Sequence, residues 1–237
     1  MEQVLQKNID EVQKQIVDAC AKAGRSRGDV KLIAVSKTHP ASAIRAAIGL
    51  GLNAFGENKV QEADGKIVEL GRDVAEWHLI GHLQKNKARR AVQLFDVIHS
   101  VDSPELAERL ERICIEEGRE SLSVFAQVDL GGEVTKAGIT ESDLPKLIDA
   151  LKKCERLKFD GLMTLPPFFE DAEHTRPFFR RLKEIRDDLA ADGAFANGFG
   201  HLSMGMSHDL TVAIEEGSTI VRIGTSIFGD RSYFSPE

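Results

Sequence analysis

The chain has 237 residues, 42% of them hydrophobic and 29% charged, with a formal net charge of -7. That is the make-up of an ordinary globular protein long enough to bury a sizeable core. The acidic balance argues against a general nucleic-acid binder, and no apolar run approaches the roughly 20 residues of a membrane span.

Residues 2–23 place Leu5, Ile9, Val12, Ile16 and Ala19 at helical spacing, and Gly24 follows as a stop signal. A buried strand is then predicted at 31–36, followed by strands at 53–55, 77–80, 97–101 and 122–128. Further strands are predicted at 158–163, 201–202 and 219–223. Helical patterns fill the gaps. Ser103-Pro104-Glu105 begins one with a cap and a first-turn proline, and Leu106, Leu110 and Ile113 form its apolar stripe. Leu144, Leu147, Ile148 and Leu151 mark another, with Ser142 as its expected cap. A third, at 176–189, carries Phe179, Leu182, Ile185 and Leu189, and a short one is expected at 208–216.

No linker or low-complexity stretch divides the chain, so one domain over residues 1–237 is expected. Strands alternating with helices point to a (β/α)8 barrel with an extra leading helix. A doubly wound open sheet is the alternative, because runs such as Leu32 to Val35 suit any parallel sheet covered on both faces. The strand count favours the barrel. Cys20, Cys114 and Cys154 form no CxxC pair, and the N-terminus is unlike a signal or transit peptide. Reduced thiols and a cytoplasmic location are therefore expected.

Residues suited to chemistry gather just after the strands. Ser36-Lys37-Thr38, Gly56-Glu57-Asn58, Gly81-His82-Leu83-Gln84, Ser203-Met204-Gly205-Met206-Ser207 and Gly224-Thr225 would share one face of a barrel. Lys37, leaving a buried strand, is either a Schiff-base nucleophile or a lysine snorkelling into water. The 203–207 turn, the helix after it and the Gly224-Thr225 turn lie where barrels bind phosphate; ordinary helix capping by Ser207 is the bland reading. In Ile220-Val221-Arg222-Ile223, strand alternation turns Arg222 into the barrel if its neighbours face the helices. A buried guanidinium needs an acceptor, either a ligand atom or the carboxylate of a structural ion pair. His78 and His82 lie across a strand and turn, which does not make a zinc site. Lys85, Lys87, Arg89 and Arg90 read as a solvated helix face. No Walker loop, GxGxxG after a strand or nucleophile elbow is present.

Together these stretches resemble the pyridoxal phosphate homeostasis family, related in fold to the N-terminal barrel of alanine racemase. The resemblance rests on Leu32-Ile-Ala-Val-Ser-Lys-Thr-His-Pro40, Phe55-Gly-Glu-Asn-Lys-Val-Gln-Glu62, Trp77-His-Leu-Ile-Gly-His-Leu-Gln-Lys-Asn-Lys87, Leu202-Ser-Met-Gly-Met-Ser207 and Val221-Arg-Ile-Gly-Thr225. It implies a TIM-type barrel holding pyridoxal 5'-phosphate as a Schiff base on Lys37, with Lys136 the next lysine to consider. Ser203, Gly224 and Thr225 look like phosphate contacts, with Ser207 a further candidate. Arg222 resembles the arginine facing the pyridine nitrogen, and Asn58 is similar to a residue lining the ring side. Lys59 stands where many members have tyrosine, and Asp129 where many have asparagine.

A cation beside the pyridine nitrogen makes the ring a poorer electron sink. A racemase also needs a second acid/base group, yet the only tyrosine is Tyr233, near the end of the chain. The expectation is therefore a monomeric binder that stores, buffers or delivers the cofactor, with apo-enzymes as recipients and no catalytic residue or metal. An amino-acid racemase using His82 or another subunit is the competing reading. A Schiff-base aldolase acting on a sugar phosphate is a second.

Overall fold

In a computed structural model that describes residues 2–132 and 137–229, the apolar runs close into a barrel. Its strands are β1 (Lys31–Val35), β2 (Ala54–Glu57), β3 (Glu76–Leu79), β4 (Val97–Val101), β5 (Leu122–Asp129), β6 (Ile139–Thr140), β7 (Leu157–Met163), β8 (His201–Ser203) and β9 (Ile220–Ile223). They pair in parallel in the order β4-β3-β2-β1-β9-β8-β7-β5, and β4 also pairs with β5. That last pairing closes the sheet and excludes the open, doubly wound alternative. The two-residue β6 hangs on β5 beside the barrel and is too short to read from sequence.

Strand alternation explains why there are two cores. Ile33, Ala54, Val97, Phe125, Met163 and Ile220 form a small apolar cluster from inward positions of six strands. Their outward neighbours, such as Ala34, Phe55, Ile98, Leu162 and Val221, belong to the larger core beneath the helices. The β5–β7 register shifts between Val124 and Phe125, whose partners are Phe159 and Gly161; Asp160 of β7 is the extra residue, so Phe159 and Leu162, three apart, both belong to the outer core.

The helices are α1 (Glu2–Lys22), α2 (Ala41–Gly49), α3 (Val60–Leu70), α4 (Ala88–Leu94), α5 (Pro104–Glu116), α6 (Leu144–Leu151), α7 (Arg176–Ala191), α8 (Leu210–Glu215) and α9 (Thr225–Phe228). The leading helix α1 packs its Leu5–Ile9–Val12–Ile16 stripe against α8 and α9, and Asn8 Nδ2 donates to Ile227 O at 2.9 Å. Ser103 caps α5 as expected, accepting from Leu106 N; such a cap contributes about 1 kcal/mol. The expected cap of α6 is displaced. Asp143 occupies the N-cap position, and the Ser142 hydroxyl bonds Thr140 Oγ1 at 3.0 Å instead. The helix expected at 208–216 begins only at Leu210, because the Asp209 carboxylate accepts from Met206 N at 2.6 Å and holds 206–209 as a turn.

Candidate functional site

The register brings the expected residues to one end of the barrel. Lys31 to Ala34 of β1 pair with Ile220 to Ile223 of β9, and Ser203 of β8 pairs with Ile220. The turn after β9 therefore lies beside the end of β1. Contact there is close: a Cβ on Gly224 would sit 3.3 Å from both the Cβ and the carbonyl oxygen of Val35. Gly205 has φ +96, and Arg222 N donates to its carbonyl at 3.0 Å, which fixes the 203–207 loop against β9. A side chain at Gly205 would also strike Ala213, so this loop presents bare backbone where it turns.

Lys37 stands two residues beyond the end of β1 and is exposed. Alternation puts Ile33 inside the barrel and Ser36 outside, and Lys37 follows in the turn beyond the strand end. Asn58 is half-buried after β2, and its backbone lies so near Gly81 that a Cβ there would come within 2.3 Å of Asn58 O. The loops after β2 and β3 are thus locked together. Ser207 and Gly224 are half-buried, and Thr225 is exposed at the start of α9. Lys59 is exposed at the start of α3; Asp129 Oδ1 accepts from Gly131 and Gly132 backbone amides in a local turn. Lys136 and Tyr233 lie outside the described residues.

Arg222 points inward, as alternation requires, and its guanidinium is fully buried. Nη1 donates to Ser203 Oγ at 2.7 Å and Nη2 to Thr164 O at 3.0 Å. Its hydrogen-bond partners are neutral oxygens, so the simple ion-pair reading does not hold. Burial pulls the guanidinium down to about 10, partly offset by the Asp209 carboxylate, and it stays cationic at neutral pH. The Ser203 hydroxyl is the acceptor of that first bond. Leu202 packs outward, so Ser203 faces inward and is fully buried, bonded to Arg222 and to His99 Nδ1 at 2.9 Å.

This interior chain continues. Arg222 can only donate, so Ser203 Oγ accepts from it, and the same oxygen shares a hydrogen bond with His99 Nδ1. His99 Nε2 in turn shares a hydrogen bond with His78 Nδ1, 3.0 Å away. The other His78 nitrogen, Nε2, faces Glu76 Oε1 at 3.5 Å, with no closer partner among the described residues. Burial holds both imidazoles below their ordinary value, His99 well below it, which keeps them neutral. Phe125 stacks on the His99 ring with centroids 4.4 Å apart. At the far end of the barrel, Glu76 is held down to about 2 by His78 and Lys31 against the pull of burial.

A second buried cluster lies outside the sheet. Lys66 of α3 donates to Ser36 O, Glu57 Oε1 and Glu62 Oε1, at 2.8, 2.7 and 2.7 Å. Ser36 Oγ also donates to Glu57 Oε1 at 2.7 Å. Burial raises Glu57 above the usual carboxylate range, although Lys66 opposes it.

The remaining candidates separate. His78 is inside the barrel, whereas His82 is exposed with Nδ1 3.3 Å from Asp102 Oδ2, so the two share no metal site. No group of three or more metal-ligating side chains occurs among the described residues. The two arginines of the basic run after β3 make surface pairs, Arg89 with Glu116 and Glu117 and Arg90 with Asp64. Among the described residues no helix is long and apolar enough to cross a membrane.

Residues 6–232 match the family model of the alanine racemase N-terminal domain. The chain is 42% identical over 225 residues to the pyridoxal phosphate homeostasis protein of Aquifex aeolicus, covering 95% of this chain and 97% of that one. It belongs to the pyridoxal phosphate homeostasis family. Among solved structures, PipY of Synechococcus elongatus without pyridoxal phosphate superposes with a TM-score of 0.83 at 40% identity. That match covers 95% of this chain and all of PipY. PipY with pyridoxal phosphate bound superposes at 0.78 and 42% identity, over 90% and 100% of the two chains.

Proposed function

We propose that this chain, as a single domain, binds pyridoxal 5'-phosphate at the C-terminal mouth of the barrel and serves its homeostasis as a holder, not as a catalyst. The observation that carries the reading is the convergence of Lys37, the 203–207 loop and the Gly224-Thr225 turn on adjacent strand ends. The donor set suits the group. An amine outside the sheet edge answers an aldehyde, with loss of water on forming a Schiff base. Backbone at Gly205 and Gly224, where side chains do not fit, together with Ser207 and Thr225, suits a phosphate. Arg222, buried with neutral partners, offers a cation to a ring acceptor, and Asn58 lines the ring side. Ser203 acts through Arg222 in this reading.

The related PipY, solved with and without pyridoxal phosphate, supports the choice of ligand. Storage, buffering or delivery to apo-enzymes in the cytoplasm, by a monomer, completes the proposal. A cation at the ring nitrogen weakens the ring as an electron sink, which fits holding better than turnover.

Borohydride reduction after mixing with pyridoxal 5'-phosphate should leave the reduced adduct on Lys37, read by peptide mass. Lys37→Ala should lose the adduct while keeping measurable affinity through the phosphate cradle. An adduct of full yield on another lysine would overturn the assignment. Hydrogen exchange at the α-carbon of added amino acids in deuterated water, abolished by Lys37→Ala, would replace holding with racemisation.

A further inference from the structure

Lys37 occupies a turn whose shape is unusual for its sequence. His39 N donates to Ser36 O at 3.1 Å, so Ser36 to His39 form a hydrogen-bonded turn with Lys37 second and Thr38 third. Thr38 has φ +67, the only non-glycine residue with positive φ among those described. A positive φ at the third position is the mark of a type II turn, where glycine is the usual occupant. A β-branched residue there is strained, so something outside the turn must hold it.

What holds it is the cluster beneath α3. Glu62 Oε1 accepts the Thr38 amide, which fixes the orientation of the Lys37–Thr38 peptide. Ser36 is tied twice, through its hydroxyl to Glu57 and through its carbonyl to Lys66. Lys66 Nζ spends all three of its donors on Ser36 O, Glu57 and Glu62, and its residue is only 8% exposed. Both neighbours of Lys37 in the chain are therefore anchored to one buried ammonium and its two carboxylates.

We propose that Lys66, Glu57 and Glu62 form a positioning cluster that aims the Lys37 side chain into the barrel mouth by locking the Ser36–His39 turn. The inference rests on the proposed attachment of pyridoxal 5'-phosphate to Lys37. None of the three cluster residues needs to touch the ligand. Their effect falls on the approach of the amine to the aldehyde and leaves the phosphate cradle, built on β8 and β9, alone.

The test separates capture from binding. Pyridoxal 5'-phosphate requires the amine, whereas pyridoxine 5'-phosphate has the same ring and phosphate with an alcohol in place of the aldehyde. Glu62→Ala should slow formation of the borohydride-trappable Lys37 adduct by on the order of tenfold or more, since misplaced reacting groups lose rate steeply. Its dissociation constant for pyridoxine 5'-phosphate should stay within about twofold of wild type, because the phosphate contacts are untouched. Glu62→Gln keeps an oxygen acceptor for the Thr38 amide and should restore most of the capture rate. Should Glu62→Ala fold poorly, Glu62→Gln and Ser36→Ala carry the same comparison.

Unchanged capture in the Ala variants would overturn the positioning role. So would an equal fall in capture and in pyridoxine 5'-phosphate affinity, which would mean general damage to the mouth. Absence of any Lys37 adduct in the wild-type chain would instead remove the binding proposal, and this inference with it.

Discussion

Two buried polar clusters lie on opposite faces of the sheet, and they meet the cost of burial in opposite ways. Inside the barrel a single cation, Arg222, is dispersed through neutral groups, Ser203, His99 and His78, towards Glu76. Outside it, Lys66 meets two carboxylates directly. The inner arrangement strings its groups one after another from Arg222 to His78. The outer one has no such order but ties three separate chain segments to one atom. A string of neutral groups suits keeping one charge buried, and cross-linking suits fixing backbone. The difference shows that burial alone does not say what a polar residue does; the number and sign of its partners do.

The largest effect that would break this comparison comes from the outer cluster. Lys66→Met leaves Glu57 buried without its cation and should cost about 3–5 kcal/mol in urea unfolding. A cost near zero would mean that the carboxylates find other partners. Next in size is the pH response of the inner chain. His78 and His99 are kept neutral when folded, while the unfolded chain takes up protons below about pH 6.5. Their contribution is complete above that value and is lost as pH falls. Two protons at about 1.4 kcal/mol each per pH unit set a limiting slope near 2.8 kcal/mol per unit. Urea titrations at stepped pH measure it, and a flat profile from 7 to 5 would show that the rings are charged in the fold.

Ser203→Ala should cost less, about 1–3 kcal/mol, by stranding Arg222 Nη1 and His99 Nδ1 without a partner. It should also loosen Arg222 and change the spectrum of bound pyridoxal 5'-phosphate more than its phosphate affinity. A selective loss of phosphate affinity would return Ser203 to the cradle. The smallest effect is expected at Arg89. Its pairs with Glu116 and Glu117 are exposed, so Arg89→Ala should leave the unfolding midpoint unchanged.

Each strand of the barrel proper was legible, because a parallel sheet covered on both faces writes itself as short apolar runs. The missing piece, β6, is two residues long and carries no pattern. Arg222 was legible for the same reason as the strands: Val221 and Ile223 claim the outer face and leave it the inner one. His99 obeys identical parity two residues after Val97, yet a polar residue inside an apolar run gives no hint of its partner on a strand distant in sequence. Ser203 is read as a phosphate contact from the glycine-rich loop that follows it; its bonds to Arg222 and His99, across strands distant in sequence, are not legible there. Glu62 and Lys66 are spaced as an ordinary surface helix pair, and only the packing of α3 against the ends of β1 and β2 makes Lys66 buried and Glu62 half-buried. Nothing in Thr38 itself announces a left-handed conformation.

The pairing of β1 with β9 sets a timetable for the molecule. The lysine turn is translated early and the glycine turn beside it last, so a nascent chain exposes its amine long before the strand that completes the cradle has left the ribosome. Until that seam zips shut, the lysine turn lacks the neighbouring strand end on which the proposed cradle is built.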